Sequence, residues 1–299
     1  MKGILSFLVV VLALAVSRAV GQVPDYPVLR HVSVSARVVR GETGAYLYYS
    51  YTLTNNSQNT GSVRVFRIDI SRDPGSVNFD TVGLQFAGND YMEQNFRRAF
   101  PRLASVIVPV GFVSLPPGWS GLWGNTPWAS LSKDAFFVPP GGTVDGFQLM
   151  SKGIPGIREV KVQPEFNVDR LFPSLDDTTS TITPTQMDSI RDAANYYGYT
   201  LGPWAPDSAF EPLAFVDTVS TFVHRSHALG WIADETVASG VLASLARART
   251  YIVQGRKGDA RVALSSILEA VGHDATGAFH PEGSALIRYN VQYLYRKLE

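Results

Sequence analysis

The 299-residue chain contains no cysteine. It can therefore form no disulfide, offers no thiol nucleophile, and has no lipobox cysteine to carry a lipid. It also lacks an excess of either charge, with 26 basic residues against 26 acidic. A nucleic-acid binder normally shows a basic patch or stripe. The nearest approach is Arg97, Arg98 and Arg102 on one segment, which reads as a solvated face, so nucleic acid is not an expected partner. No His-Glu-x-x-His pair is present, and the Gly-x4-Gly-Lys spacing of a phosphate loop is missing. Gly255-Arg256-Lys257-Gly258 reads instead as a helix–helix turn. Gly118-Trp119-Ser120-Gly121-Leu122 lacks the final glycine of a nucleophile elbow. No cofactor is implied.

Long apolar runs are missing too, with one exception. Residues 4–16 are apolar but for Ser6, after a single positive charge at Lys2, and small residues follow at Ser17, Ala19 and Gly21. The run is too short to cross a bilayer, where about 20 residues are needed, and has the shape of a secretory signal peptide. Residues 1–21 are thus expected to be removed, with cleavage after Ala19 or Gly21. Loss of Lys2 and Arg18, and of no acid, leaves 24 basic against 26 acidic residues. The mature chain is expected in the periplasm or outside the cell, with no integral membrane segment. An exported chain without disulfides has to rely on an ordinary hydrophobic core, and that fits a bacterial source.

Residues 22–166 read as strands. Val32, Val34, Ala36 and Val38 alternate with Ser33, Ser35 and Arg37, the period of a half-buried strand. Residues 63–70 alternate again, and residues 46–53 are rich in aromatic and β-branched or aliphatic residues. Polar turns separate the three, so they read as an antiparallel meander. One of those turns holds Asn55-Asn56-Ser57, a glycosylation acceptor triplet in a eukaryotic host. Residues 90–99 read as a short helix, and residues 105–115, 144–150 and 160–164 as strands. That number of strands in some 140 residues has the size of one β-sandwich. The text around Tyr49-Ser50-Tyr51-Thr52-Leu53 and Val138-Pro139-Pro140-Gly141-Gly142 resembles exported bacterial immunoglobulin-like or fibronectin-like modules. The resemblance implies a sandwich, and sandwiches host adhesion, binding and spacing roles alike.

Residues 167–182 form a polar linker containing Asp176-Asp177, without the spaced oxygen ligands of a calcium loop. Residues 183–299 read as helical. Thr183-Pro184-Thr185-Gln186 is a capping box that starts a helix to about Tyr197. Val237, Val241, Leu245, Ala248 and Ile252 form one apolar stripe, and Ala260, Leu264, Ile267, Leu268 and Val271 another. Ile287, Val291, Leu294 and Leu298 make a third, so an all-α bundle is expected at residues 234–298. Leu242, Leu245 and Ala248, then Gly255, Ala260, Leu264, Val271 and Pro281-Glu282, resemble the FIMAH-type module at the C-termini of bacterial extracellular enzymes. That module is accessory and implies no catalytic residues. Tyr289 and Asn290 depart from its usual small apolar residues.

Two candidate sites stand out. Trp119, Trp123 and Trp128 lie within ten residues of a Gly/Pro-rich segment. If exposed, the indoles can stack on sugar rings, with Asn125 offering hydrogen bonds to hydroxyls; if buried, as most tryptophans are, they plug the open end of the sandwich. His224 and His227 share one helical face, as metal ligands often do, with Asp217 two turns earlier. They lack the third and fourth ligands zinc requires. The expectation is a non-enzymatic exported binding or scaffolding protein, with a polysaccharide or a cell-envelope protein as partner. The alternatives are a secreted hydrolase of cell-surface polymers and a purely structural protein-contact module.

Overall fold

The computed structural model describes residues 26–71, 110–121, 128–166, 183–206, 209–274 and 276–299. The expected leader at residues 1–21, the expected helix at 90–99, residues 105–109 of the expected strand at 105–115 and the expected linker at 167–182 with Asp176 and Asp177 lie outside the described residues.

Among the described residues, nine strands form two antiparallel sheets. They are β1 (Val32–Arg40), β2 (Leu47–Asn55), β3 (Val63–Ile68), β4 (Gly111–Ser114), β5 (Trp119–Gly121), β6 (Trp128–Ser132), β7 (Thr143–Ser151), β8 (Ile154–Pro164) and β9 (Tyr196–Trp204). The four-stranded sheet has the order β1-β2-β7-β4, and the five-stranded sheet β5-β6-β3-β8-β9. Strand β2 alternates strictly, burying Leu47, Tyr49, Tyr51, Leu53 and Asn55. Rings from the two sheets meet: Phe66 of β3 lies 5.9 Å from Tyr51 of β2 and 5.1 Å from Phe147 of β7, both edge-on. Opposite Thr52 the β7 register slips. Gly146, at φ 92°, takes the backbone conformation that an L side chain resists at such a bulge.

The expected three-stranded meander does not form. Strand β1 pairs with β2, but β3 crosses to the other sheet and pairs with β6 and β8. Two amides pin the corner where the chain crosses. Asn55 Nδ2 donates to the carbonyls of Gly61 and Val138, each at 2.9 Å. Asn59 Nδ2 donates to Asn55 Oδ1 at 2.7 Å and to His31 O at 2.8 Å, while its Oδ1 accepts from the backbone N–H of Arg30 and His31. Asn55 is fully buried. As the acceptor of the glycosylation triplet it is closed to modification, because its amide nitrogen already bridges two carbonyls.

Among the described residues, five α-helices lie in the C-terminal part: α1 (Pro184–Ala194), α2 (Pro212–Ala228), α3 (Glu235–Val253), α4 (Lys257–Gly272) and α5 (Pro281–Lys297). The Thr183–Gln186 capping box forms as expected. Helix α1 stops at Ala194, because Asn195 is extended, and the text read as its end and its break is strand β9. That strand pairs with β8 over nine consecutive residues, from Tyr196 opposite Val162 to Trp204 opposite Ile154. Asp234 caps α3 by accepting from the N–H groups of Thr236 and Val237. The expected stripes are buried: Val241, Leu245 and Ala248 on α3, Ala260, Leu264, Ile267 and Val271 on α4.

Helix α5 touches both halves. The Glu282 carboxylate in its first turn accepts from the Ala36 N–H of β1 at 2.8 Å, where the helix dipole also favours an anion. At its middle, Asn290 Nδ2 donates to the Pro155 carbonyl of β8 at 2.8 Å. The Tyr289 ring lies under the Arg40 guanidinium at 5.3 Å. One continuous cluster of buried residues runs through both sheets and into the helices. No helix among the described residues is long and apolar enough to cross a membrane.

Candidate functional site

Of the sequence-derived candidates, the structure describes the side chains of Trp119, His224 and His227. Trp119 opens β5 and is 7% exposed, with its indole edge-on to Phe147 at 4.8 Å. It packs the core and shows no open face on which a sugar could stack. Trp123 and Asn125 lie outside the described residues. The backbone of Trp128 pairs with Ile68 in β6. His224 and His227 are both exposed on α2, and His227 Nδ1 lies 3.0 Å from the Ile232 carbonyl at the helix end. Asp217 pairs with Arg249 of α3 at 3.0 Å. Among the described residues, no three His, Cys, Asp or Glu side chains come together to hold a metal ion.

A groove of about 450 Å³ opens where the four-stranded sheet meets the start of α5. Strands β1 and β2 supply Ser35, Arg37, Ser50 and Thr52. The β7 bulge supplies Asp145, and His280 and Glu282 come from the helix start. Strand alternation sets Ser35 and Arg37 apart from the buried Ala36, and Ser50 and Thr52 apart from the buried Tyr51. Gln148 Nε2 donates to Ser50 Oγ at 3.0 Å, which fixes one wall. The groove thus carries hydroxyls, one exposed carboxylate and one exposed guanidinium over the buried Tyr51. Most of the lining is nonetheless apolar, so these polar groups would orient a ligand that also carries an apolar face.

A second surface lies on β9. Its register sets Tyr197 opposite Lys161 and Tyr199 opposite Glu159. Both rings are exposed, Tyr197 at 47% and Tyr199 at 41%. The Tyr197 hydroxyl donates to Asp192 at the end of α1. Lys161 Nζ lies 3.6 Å from that carboxylate and 5.4 Å from the Tyr197 ring centre. The Arg225 guanidinium of α2 lies 5.1 Å from the Tyr199 ring centre. Burial and the hydrogen bond to Asp192 hold the Tyr197 phenol above its ordinary pKa, so it stays a donor at neutral pH. Gly198 sits between the two because the Tyr196 phenol occupies the space a Cβ would need. The period-two aromatics Tyr197 and Tyr199 were the signal for this surface, and reading them as a helix end hid it.

The most unusual charge is buried away from both surfaces. Arg158 of β8 has no exposed area. Its Nε and Nη2 both donate to the Pro203 carbonyl, the former at 2.9 Å, while Nη1 finds no partner. Pro203 sits opposite Pro155 in the ladder, and neither proline has an N–H to offer the other. Arg158 and Asn290 supply the missing donors, one to each carbonyl. Burial pulls the Arg158 pKa down to about 10, against the pull of Asp69, Tyr49 and Tyr51, which favour its charged form. This is a structural bond set: it ties β8 to β9 and faces no groove described here.

Compared with protein-family models and with curated proteins, the chain matches none.

Proposed function

We propose that the protein is an exported, non-catalytic binding or scaffolding protein, built as a β-sandwich that carries a helical bundle. Polysaccharide or a cell-envelope protein is its partner, in the periplasm or outside the cell. The observation that carries the reading is the groove at the start of α5, which gathers hydroxyl groups with Arg37 and Asp145 on an open surface. Rings of Phe66, Tyr51, Phe147 and Trp119 meeting between the two sheets support the sandwich. The apolar leader supports export.

The hydrolase alternative asks for two carboxylates working across a cleft. The groove has Asp145 and Glu282, but Glu282 is 6% exposed and its Oε1 is committed to the Ala36 N–H. That favours binding over cleavage at this place.

The test is retention of the purified protein on insoluble polysaccharides and isolated cell walls, beside a variant with Arg37→Ala and Asp145→Ala. The proposal expects wild-type retention and its loss in a variant that still unfolds at the wild-type temperature. Retention only on protein-bearing wall fragments would support the scaffolding form. No retention on any matrix, or equal retention by the groove variant, would overturn the groove as the site. Release of soluble sugar from the matrix would overturn the non-catalytic reading.

A further inference from the structure

We infer that the solvent face of β9 is a stacking platform for the pyranose rings of an uncharged polysaccharide, with Tyr197 and Tyr199 as its two rings. The inference rests on the binding reading above but uses a different surface. The groove lies on the four-stranded sheet, whereas these tyrosines stand on the edge strand of the five-stranded one.

Residues two apart on a strand share a face, which sets the two side chains about 7 Å apart along β9. Tyr197 and Tyr199 are among the most exposed aromatic side chains described, at 47% and 41%. An aromatic ring that stays in water presents an apolar face to the C–H face of a sugar and keeps a polar edge for its hydroxyls.

Both rings are held before any ligand arrives. The Tyr197 hydroxyl is tied to Asp192, and Lys161, 6% exposed, backs its ring. Arg225 reaches from α2 to the Tyr199 ring. A ring already fixed loses less rotamer freedom on binding. The charges around the rings balance: Lys161 and Arg225 stand against Asp192 and Glu159. A balanced face complements an uncharged polymer. It does not complement a polyuronate or single-stranded nucleic acid, which also stacks on aromatic rings but needs a cationic groove.

The experiment is calorimetric titration of the full chain with uncharged hexasaccharides of glucose, xylose and N-acetylglucosamine, and with a polyuronate and single-stranded DNA. At least one uncharged hexasaccharide is expected to bind, with an affinity indifferent to salt. The Y197A/Y199A variant is expected to bind it roughly tenfold more weakly or worse. The Y197F/Y199F variant keeps both ring faces and is expected to stay within about threefold of wild type. Unfolding temperatures near wild type show that both variants are folded; if the alanine pair unfolds early, Y199A alone replaces it. The proposal is overturned if no uncharged hexasaccharide binds, if a folded alanine variant binds like wild type, or if the polyuronate or DNA binds instead with steep salt dependence. Wall retention that survives Y197A/Y199A but not the groove substitutions would remove the platform and leave the binding function standing.

Discussion

The sheets bury charged and amide side chains; the helix–helix contacts bury almost none. Asn55, Asp69, Arg158 and Thr200 are fully enclosed in the strand region. On α2, α3 and α4 the buried residues include Val219, Val223, Val241, Leu245, Leu264 and Ile267, and Ser226 and Ser244 are the polar members among the described residues. Helix α5 belongs to both worlds: Ile287, Val291 and Leu294 are buried apolar residues, while Glu282 and Asn290 bond to the strands. The difference follows from backbone accounting. A helix satisfies its own N–H and C=O groups. Sheet corners, edges and proline positions leave groups over, and side chains must reach in to satisfy them.

The comparison breaks most sharply at Arg158. Arg158→Met is expected to cost about 3 kcal/mol, because the buried Pro203 carbonyl loses both of its charge-assisted donors. Leu245→Ala, the matching cut in the helical core, is expected to cost about 2–5 kcal/mol through the cavity it leaves. Urea unfolding of both variants checks the pair. If Arg158→Met unfolds like wild type, the polar groups are incidental and the contrast fails.

Asn290→Ala sits one step lower. It strands the Pro155 carbonyl at the joint between strands and helices, at a cost of about 1–3 kcal/mol. Because one buried cluster spans both regions, strand and helix signals are expected to unfold together in wild type. Following near-ultraviolet and far-ultraviolet circular dichroism side by side checks it. Two separate transitions in wild type would mean that the regions are independent and that α5 merely touches the sheets.

Alkaline pH separates the regions by chemistry. Burial holds the Tyr49 and Tyr51 phenols well above their ordinary value of 10.0. Unfolded, they ionise near pH 10; folded, they stay protonated. Their stabilising contribution is therefore whole below about pH 10 and is lost as pH rises above it. Arg158 works the other way. Its folded pKa of about 10 lies well below the ordinary guanidinium value, so the cost of burying its charge is relieved as pH rises above about 10. Two phenols outweigh one guanidinium, and stability is expected to fall above pH 10. Tyr49→Phe also loses a hydrogen bond to the Gly153 carbonyl. It should lower stability at pH 7 by about 1 kcal/mol yet flatten the alkaline fall, as unfolding midpoints from pH 8 to 11 would show.

The same division governed what could be read from the residues alone. The helical stripes were legible because burial follows a 3.6-residue period that needs no partner to be recognised: Val241, Leu245 and Ala248 fell where expected. Strand β1 was legible by its period of two, β2 by its aromatic and branched residues, and β7 as a strand at residues 144–150. Their pairing was not, because the crossing of β3 depends on Asn55 and Asn59 bonding carbonyls that are distant in the chain. Strand β9 was lost to a neighbouring helix signal, and with it Tyr197 and Tyr199. Tyr289 and Asn290 looked like misfits in an apolar helix. They are the residues that meet Arg40 and Pro155. Trp119 had the composition of a binding surface and the burial of a core residue, and only packing distinguishes the two.

The smallest expected effect marks where the contrast should vanish. Arg249 and Asp217 join α3 to α2 at 3.0 Å, with side chains about half exposed. Water and salt screen such a pair, and ordering two long side chains offsets much of the attraction, so Asp217→Asn is expected to cost under about 1 kcal/mol. The loss should shrink further in 1 M salt. Unfolding midpoints at low and high salt check it. A larger, salt-insensitive loss would show that the helices, too, depend on a polar bond for their packing, and the distinction between the two cores would have to be redrawn around α2 and α3.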